Sequence, residues 1–346
     1  MTRIYLDHNA TTPLRAEARA AMIEAMDAVG NPSSVHAEGR RAKAIVERAR
    51  AQISQALGAS GADIVFTSSA TEAAALACAG RTLHGSAIEH DAVRSWVSET
   101  LPVGPDGRLN VPDPVSSTMQ LANSETGVMQ DVPRGLALCD LTQAFGKVPI
   151  GFDALGIDMG LISAHKLGGP KGVGALVVRQ GLDVTAQIRG GGQEMGRRSG
   201  TENVIGIAGF GAAAEAAQHD VDAGKWDHVE KLRNILESAL EASSNTTIFV
   251  GKEAIRLPNT SCFATPGWKG ETQVMQMDLS GFAISAGSAC SSGKVKASAV
   301  LTAMGLGDVA ACAVRVSLGL ETTEDDVLRF ADIWAQKFKK HEARAA

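Results

Sequence analysis

The sequence predicts an α/β fold: a large unit built on a mostly parallel central sheet, followed by a smaller C-terminal α/β unit. Three observations carry this expectation. The chain has 346 residues, more than one small hydrophobic core organises. Short apolar runs recur through the middle third, and polar residues follow most of them at once, as at strand ends that border a crevice. Two long helical stretches, 203–219 and 226–243, then lead into a second alternation of short strands and helices.

In chain order, helical spacing and helix-forming residues predict helices over 14–29 and 36–57. Asp63–Thr67 reads as a strand, and the Ala-rich stretch Thr71–Ala79 as a helix. The small-residue turn between them offers backbone N–H groups and hydroxyls to an anion at a helix N-terminus. Further strands are expected at Ser86–Glu89, Thr118–Ala122, Gly135–Cys139, Met159–Ser163 and Gly174–Val178. Only Asp-Val-Pro-Arg-Gly separates Gln130 from Leu136, too little for a crossover helix. In open α/β sheets ligands bind beyond the carboxyl ends of the strands, so His90, Asn123, Asp140 and Lys166 are expected to converge on one crevice. A last helix is expected over 323–340, and the boundary between the units near residue 221.

Composition bounds the function. A hydrophobic content of 45% and a charged content of 21% fit a globular chain. The formal net charge of -5 argues against a general nucleic-acid binder. No apolar run approaches a membrane span, and Met1–Pro13 lacks the apolar core of a signal peptide, which together predict a cytoplasmic protein without membrane contact. The five cysteines are odd in number and include no C-x-x-C, a poor basis for disulfides or zinc. His84 and His90 do not make a metal site by spacing, so no metal is expected.

The candidate chemistry begins at Ser163-Ala-His-Lys166. A lysine after an apolar strand is usually a solvated strand end. Here a loop follows, Leu-Gly-Gly-Pro-Lys-Gly-Val-Gly, that lets backbones approach closely. A lysine in a crevice can form a Schiff base with an aldehyde cofactor. Pyridoxal phosphate (PLP) also needs a carboxylate at its pyridine nitrogen and a cradle for its phosphate. Asp140 and Ser68-Ser-Ala-Thr71 suit those roles, although each also reads as a plain helix cap. Gly169–Gly174 does not have the spacing of the dinucleotide fingerprint, which leaves a nucleotide-binding reading poorly supported.

With these residues in view, the sequence resembles the cysteine desulfurases, a branch of the class V aminotransferase-like PLP enzymes of fold type I. The matching stretches are Tyr5–Pro13, Gly30–Ser34, Phe66–Glu72, Glu89-His90, Asn123–Gly127, Asp140–Gln143, Ser163–Lys166, Gly190–Glu194, Arg198–Asn203, Ser285–Cys290 and Arg315–Gly319. They follow the family's order and span nearly the whole chain. The resemblance implies a large PLP-binding domain over 14–221. Residues 1–13 and 222–346 would form a small domain carrying the catalytic cysteine loop.

The resemblance also implies the site roles. Lys166 holds the cofactor and later moves the Cα proton. Asp140 pairs with the pyridine nitrogen, and Gln143 hydrogen-bonds the ring oxygen. Ala70, Thr71, Ser163 and His165 hold the phosphate. Thr201 reaches the phosphate of the other subunit of a homodimer with shared sites. His90 stacks on the ring and serves as acid and base. Asn123 and Ser124 lie near the substrate, and Arg315 binds its carboxylate as a planar two-pronged donor. Cys290 sits in a run of small residues, Ala286–Lys294, that suits a thiol moving from substrate to acceptor, with Lys294 or Lys296 lowering its pKa. It would take the sulfur of L-cysteine as a persulfide, release alanine, and pass the sulfur to an acceptor protein such as an iron–sulfur scaffold.

The sequence also departs from the family. Ser124 stands where the family commonly has a second Asn, Ala164 and Ser69 where it commonly has Gly, and Leu141 where it has a smaller residue. The connections after Ala79, Glu99 and Gln130 look trimmed. These departures bear on rate and substrate preference rather than on cofactor binding. Two other readings stand beside desulfuration of cysteine: selenocysteine lysis or another class V reaction, and a non-catalytic desulfurase-like scaffold.

Overall fold

A computed structural model describes residues 3–287 and 297–345. Its strands are β1 (Ile4–Tyr5), β2 (Ala62–Thr67), β3 (His84–Ser86), β4 (Ser98–Leu101), β5 (Thr118–Gln120), β6 (Leu138–Asp140), β7 (Met159–Ser163), β8 (Gly174–Arg179), β9 (Ile248–Phe249), β10 (Thr260–Ala264), β11 (Phe282–Ala283) and β12 (Ala313–Ser317). Its helices are α1 (Ala16–Met26), α2 (Ala37–Leu57), α3 (Ala70–Cys78), α4 (Asp91–Arg94), α5 (Phe152–Leu155), α6 (Val204–Asp222), α7 (Lys225–Ser243), α8 (Gly270–Asp278), α9 (Ala299–Ala303) and α10 (Glu324–Ala345).

The central sheet has five strands in the order β2-β8-β7-β6-β5. The pairs β5–β6 and β6–β7 are parallel, and β8 runs antiparallel to both its neighbours, so the sheet is mixed with one strand reversed. Both faces are covered, which explains the unbroken apolar runs in the sequence. Side chains alternate between the faces: Ala175 and Val177 of β8 join the core that holds α1, α2 and α6, whereas Leu176 and Val178 join the core under α3. β5 connects to its parallel neighbour β6 through residues 121–137 with no helix, as the short connection requires.

The strand expected at Gly135–Cys139 is shorter than the apolar run. β6 begins only at Leu138, opposite Thr118 of β5, and Gly135 is held in a turn at φ 79°. The run Ser86–Glu89 likewise does not enter the central sheet. β3 ends at Ser86 and pairs with β4 in a separate two-stranded ribbon.

A second core joins α7 and α10 to the antiparallel sheet β12-β10-β9, around Phe263, Trp268, Phe330 and Trp334. Ile4 and Leu6 belong to this core, because β1 pairs in parallel with β11, aligning Ile4 with Phe282. From there the N-terminal segment crosses to the first core. Thr12 N–H donates to His165 O at 2.9 Å, and Arg15 reaches Leu167 O at 2.8 Å and Asp220 at 2.6 Å. Among the described residues no helix is long and apolar enough to cross a membrane.

Candidate active site

β2, β5, β6 and β7 point the same way, so their carboxyl ends, Thr67, Gln120, Asp140 and Ser163, share one edge of the sheet. The reversed strand β8 starts at that edge, with Gly174 aligned to both Thr67 and Ser163. A cavity of about 560 Å³ opens there. Ala70, Thr71, His90, Ser124 and Asp140 line it, as do Gln143, Ser163, His165, Lys166 and Arg315.

Lys166 closes the short turn after β7, and its Nζ donates to Asn9 O at 2.7 Å and Ala10 O at 2.9 Å. Asp140 ends β6; its Oδ1 accepts from Thr142 N–H at 2.8 Å. Gln143 donates from Nε2 to Asn9 O at 2.9 Å. His165 bonds Thr11 through Nδ1 at 3.2 Å, and burial, with Lys166 and Lys171 nearby, pushes its pKa down to about 4, so the ring is neutral near pH 7. His90 caps α4 by accepting from Ala92 N–H on Nδ1, which puts the proton of a neutral ring on Nε2.

The segment expected to cradle the phosphate is held by the cap of α3. Ser69 Oγ accepts from Glu72 N–H at 3.3 Å, and Glu72 accepts from Ser68 N–H at 2.8 Å. Arg198 in turn grips Glu72 at 2.8 Å, an ion pair that holds this carboxyl below its ordinary pKa. Ser69, Ala70 and Thr71 at the start of α3 line the cavity together with Ser163 and His165. Gly174 lets α3 sit this close to β8: a Cβ there would lie 2.6 Å from Ser69 C, 2.8 Å from Ala70 N and 2.9 Å from Ile162 O.

Arg315, on β12, is buried on the far wall. It donates from Nη1 to Ser124 O at 3.0 Å and from Nη2 to Asp7 at 2.6 Å, and Ser285 Oγ steadies the other Asp7 oxygen at 2.9 Å. Arg315 Nε is a buried donor with no partner among the described residues. A lysine amine, a carboxylate, a helix N-terminus and an arginine guanidinium thus surround one cavity. This donor set fits PLP carrying an amino acid, with the phosphate at α3 and the amino-acid carboxylate at Arg315.

Asn123 does not join them. Its Oδ1 accepts from Glu125 N–H at 2.9 Å and Thr126 N–H at 3.0 Å, and its Nδ2 donates to Ile88 O at 3.2 Å. The amide is consumed by the turn after β5, and Ser124 faces the cavity instead. Thr201 is exposed and lies outside the lining. Cys290 lies outside the described residues, but Gly287 and Ala297, the described positions on either side of it, both line the cavity.

Other lining residues carry no sequence signal outside the family motifs. The Glu89 carboxyl is fully buried against Thr118 Oγ1 at 3.5 Å. With the Gln120 amide turned to donate, Gln120 lies at 3.1 Å from its other oxygen. Burial and then the charge of Asp140 push the pKa of Glu89 up to about 8. Glu125 accepts from Ser298 Oγ at 2.5 Å. Asn9 enters the site because the N-terminal segment passes beneath Lys166.

The sequence matches the Aminotransferase class-V family over residues 4–94 and 112–330. It is 34% identical to the cysteine desulfurase IscS of Dictyoglomus turgidum, covering 97% of this chain and 95% of that protein. It is 38% identical to a cysteine desulfurase of Cereibacter sphaeroides, covering 96% and 95% of the two chains. Among solved structures, a NifS-like protein from Rickettsia africae superposes with a TM-score of 0.87 at 32% identity, over 99% of each chain.

Proposed function

The chain belongs to the cysteine desulfurases of the class-V aminotransferase family, and we propose that it withdraws sulfur from L-cysteine with PLP, leaving L-alanine and a persulfide on Cys290. The observation that carries this reading is the meeting of Lys166, Asp140, the N-terminus of α3 and Arg315 around one cavity.

The residues that would hold the cofactor are Ala70, Thr71, Ser163 and His165 at the phosphate, Asp140 at the pyridine nitrogen, Gln143 at the ring oxygen, His90 on the ring face and Lys166 at the aldehyde. PLP bound there supplies a protonated ring that accepts electrons from the carbon next to the substrate amine. Arg315, already aimed by Asp7, binds the substrate carboxylate and fixes the orientation of the thiol-bearing side chain. Lys166 takes the proton from the substrate Cα. The Cys290 thiolate attacks the substrate sulfur, the bond from that sulfur to Cβ breaks, and His90 serves as the acid that returns protons to the departing alanine. The extra sulfur stays on Cys290 for transfer to an acceptor protein such as an iron–sulfur scaffold.

The reading extends to a cytoplasmic homodimer in which Thr201 reaches the phosphate of the partner's site. Its two-domain form, 14–221 against 1–13 with 222–346, is supported by the second core that gathers Ile4 and Leu6 with α7 and α10.

The test is to mix the purified chain with L-cysteine and follow alanine and persulfide together. Both should form, and a cofactor absorbance band should vanish in Lys166→Ala. Absence of alanine would overturn the reading and favour a non-catalytic scaffold.

A further inference from the structure

Lys147 is a buried amine that the proposed reaction does not use. It stands four residues beyond Gln143 on the run of turns after β6 and is 3% exposed. Its Nζ donates to Gln143 Oε1 at 2.9 Å and to Asn9 Oδ1 at 3.1 Å. The groups facing it are His8 and Asn9 from the N-terminal segment, Gln143 from its own turns, Lys166 after β7 and Arg315 on β12. Among the described residues none of its contacts is a carboxylate. Burial, and then the charges of Lys166 and Arg315, hold its amine well below the usual lysine range. Burying an amine without a counter-charge is costly, so its place needs another explanation.

That explanation lies in the two amides it touches. A primary amide can be turned end for end with little change in shape, so packing alone does not decide which end is nitrogen. Gln143 lines the cavity. One end of its amide meets Asn9 O, which only accepts, and the other meets Lys147, which donates. The same amine, together with Asn259 Nδ2 at 3.0 Å, holds Asn9 Oδ1 and so turns Asn9 Nδ2 toward Ser124 O at 3.2 Å and Thr260 Oγ1 at 2.8 Å. Asn9 O also accepts from Lys166. One hydrogen-bonded chain therefore runs from Lys147 through Gln143 and Asn9 to Lys166.

We propose that Lys147 is a positioning residue: by clamping the oxygen ends of the Gln143 and Asn9 amides, it makes Gln143 present an N–H to the cavity as a donor to the cofactor's ring oxygen. This rests on the PLP reading above. The second N–H of Gln143 has no acceptor among the described residues and is the one available for that contact.

The test is a pH titration of the visible absorbance of the cofactor-loaded chain in wild type, Lys147→Met, Gln143→Met and the double variant. A donor at the ring oxygen sets the pH at which that band titrates. Lys147→Met is expected to move the midpoint by about one pH unit, in the same direction as Gln143→Met. The double variant is expected to move it no further than Gln143→Met alone, because both act through one contact. An unchanged midpoint in Lys147→Met, or shifts that add in the double variant, would overturn the proposal whatever happens to thermal stability. If Lys147→Met does not fold, Lys147→Leu takes its place, since it likewise has no donor. A midpoint moved toward that of Gln143→Met then supports the clamp, and a wild-type midpoint overturns it. A wild-type chain showing no band that Lys166→Ala removes would overturn the cofactor reading itself, and the clamp with it.

Discussion

Gly174→Ala should weaken cofactor binding through the backbone alone. The added Cβ would sit 2.6 Å from Ser69 C, whereas ordinary van der Waals contact begins near 3.4 Å, so α3 and β8 must part by about 0.8 Å. All three atoms it meets are backbone, and Ala70 N belongs to the proposed phosphate cradle. None can swing aside as a side chain would. Overpacking of this kind costs about 1–3 kcal/mol of stability. Misaligning one N–H bond to a charged group loses about 1.5–3 kcal/mol, equivalent to roughly 10- to 150-fold in cofactor affinity. The assay is equilibrium titration of the apoprotein with PLP, followed by absorbance, with thermal unfolding of the same samples as the control for folding. A folded Gly174→Ala chain that binds PLP within about twofold of wild type would refute the argument that this close approach sets the cradle.

Three further outcomes follow from the site. Cys290→Ala should keep the cofactor absorbance and lose sulfide release from L-cysteine; full release by that variant would reject the persulfide step. Ser124→Asn should leave PLP binding intact and change turnover by about threefold, the effect of ~0.6 kcal/mol at the substrate end of the cavity; an unchanged rate would show that this position does not limit the reaction. Glu89→Gln should change how stability depends on pH. The Glu89 carboxyl is raised from 4.5 to about 8 in the folded chain, so the unfolded chain loses this proton first and wild type loses stability as pH rises between those values. The glutamine variant lacks that loss, so its stability relative to wild type should grow from about pH 4.5 to 8 and level off above. Denaturant unfolding at pH 5 and 8 measures this, and a constant difference would contradict it.

The long periodic elements could be read from sequence, because burial on one or both faces imposes a pattern over many residues. α2, α7, β7 and β8 lie close to where their spacing places them. Short strands could not be bounded, because pairing rather than composition ends them. Leu138 starts β6 because Thr118 stands opposite, while Leu136 and Ala137 are equally apolar and remain outside the strand. The site residues at strand ends were legible as a set, yet Asn123 and Ser124 show the limit. Adjacent polar residues leave a strand in opposite directions, and only the turn geometry reveals that Asn123 is consumed by backbone N–H groups. Lys147 was invisible for a different reason. Nothing in Gly146-Lys147-Val148-Pro149 marks a buried amine, and its burial follows from the N-terminal segment arriving from more than a hundred residues away.

That N-terminal segment bears on how the enzyme comes into being in the cell. Asn9 N–H bonds Ser317, 308 residues later, and Asp7 waits equally long for Arg315. At ~5–20 residues per second, a ribosome takes about 15–60 s to supply those partners after the first residues have emerged. The nascent chain can build its central sheet meanwhile, but the arginine wall opposite Lys166 cannot form until Arg315 and Ser317 have been made. A chain ending before Arg315 would carry the central sheet without the guanidinium that Asp7 holds across the cavity.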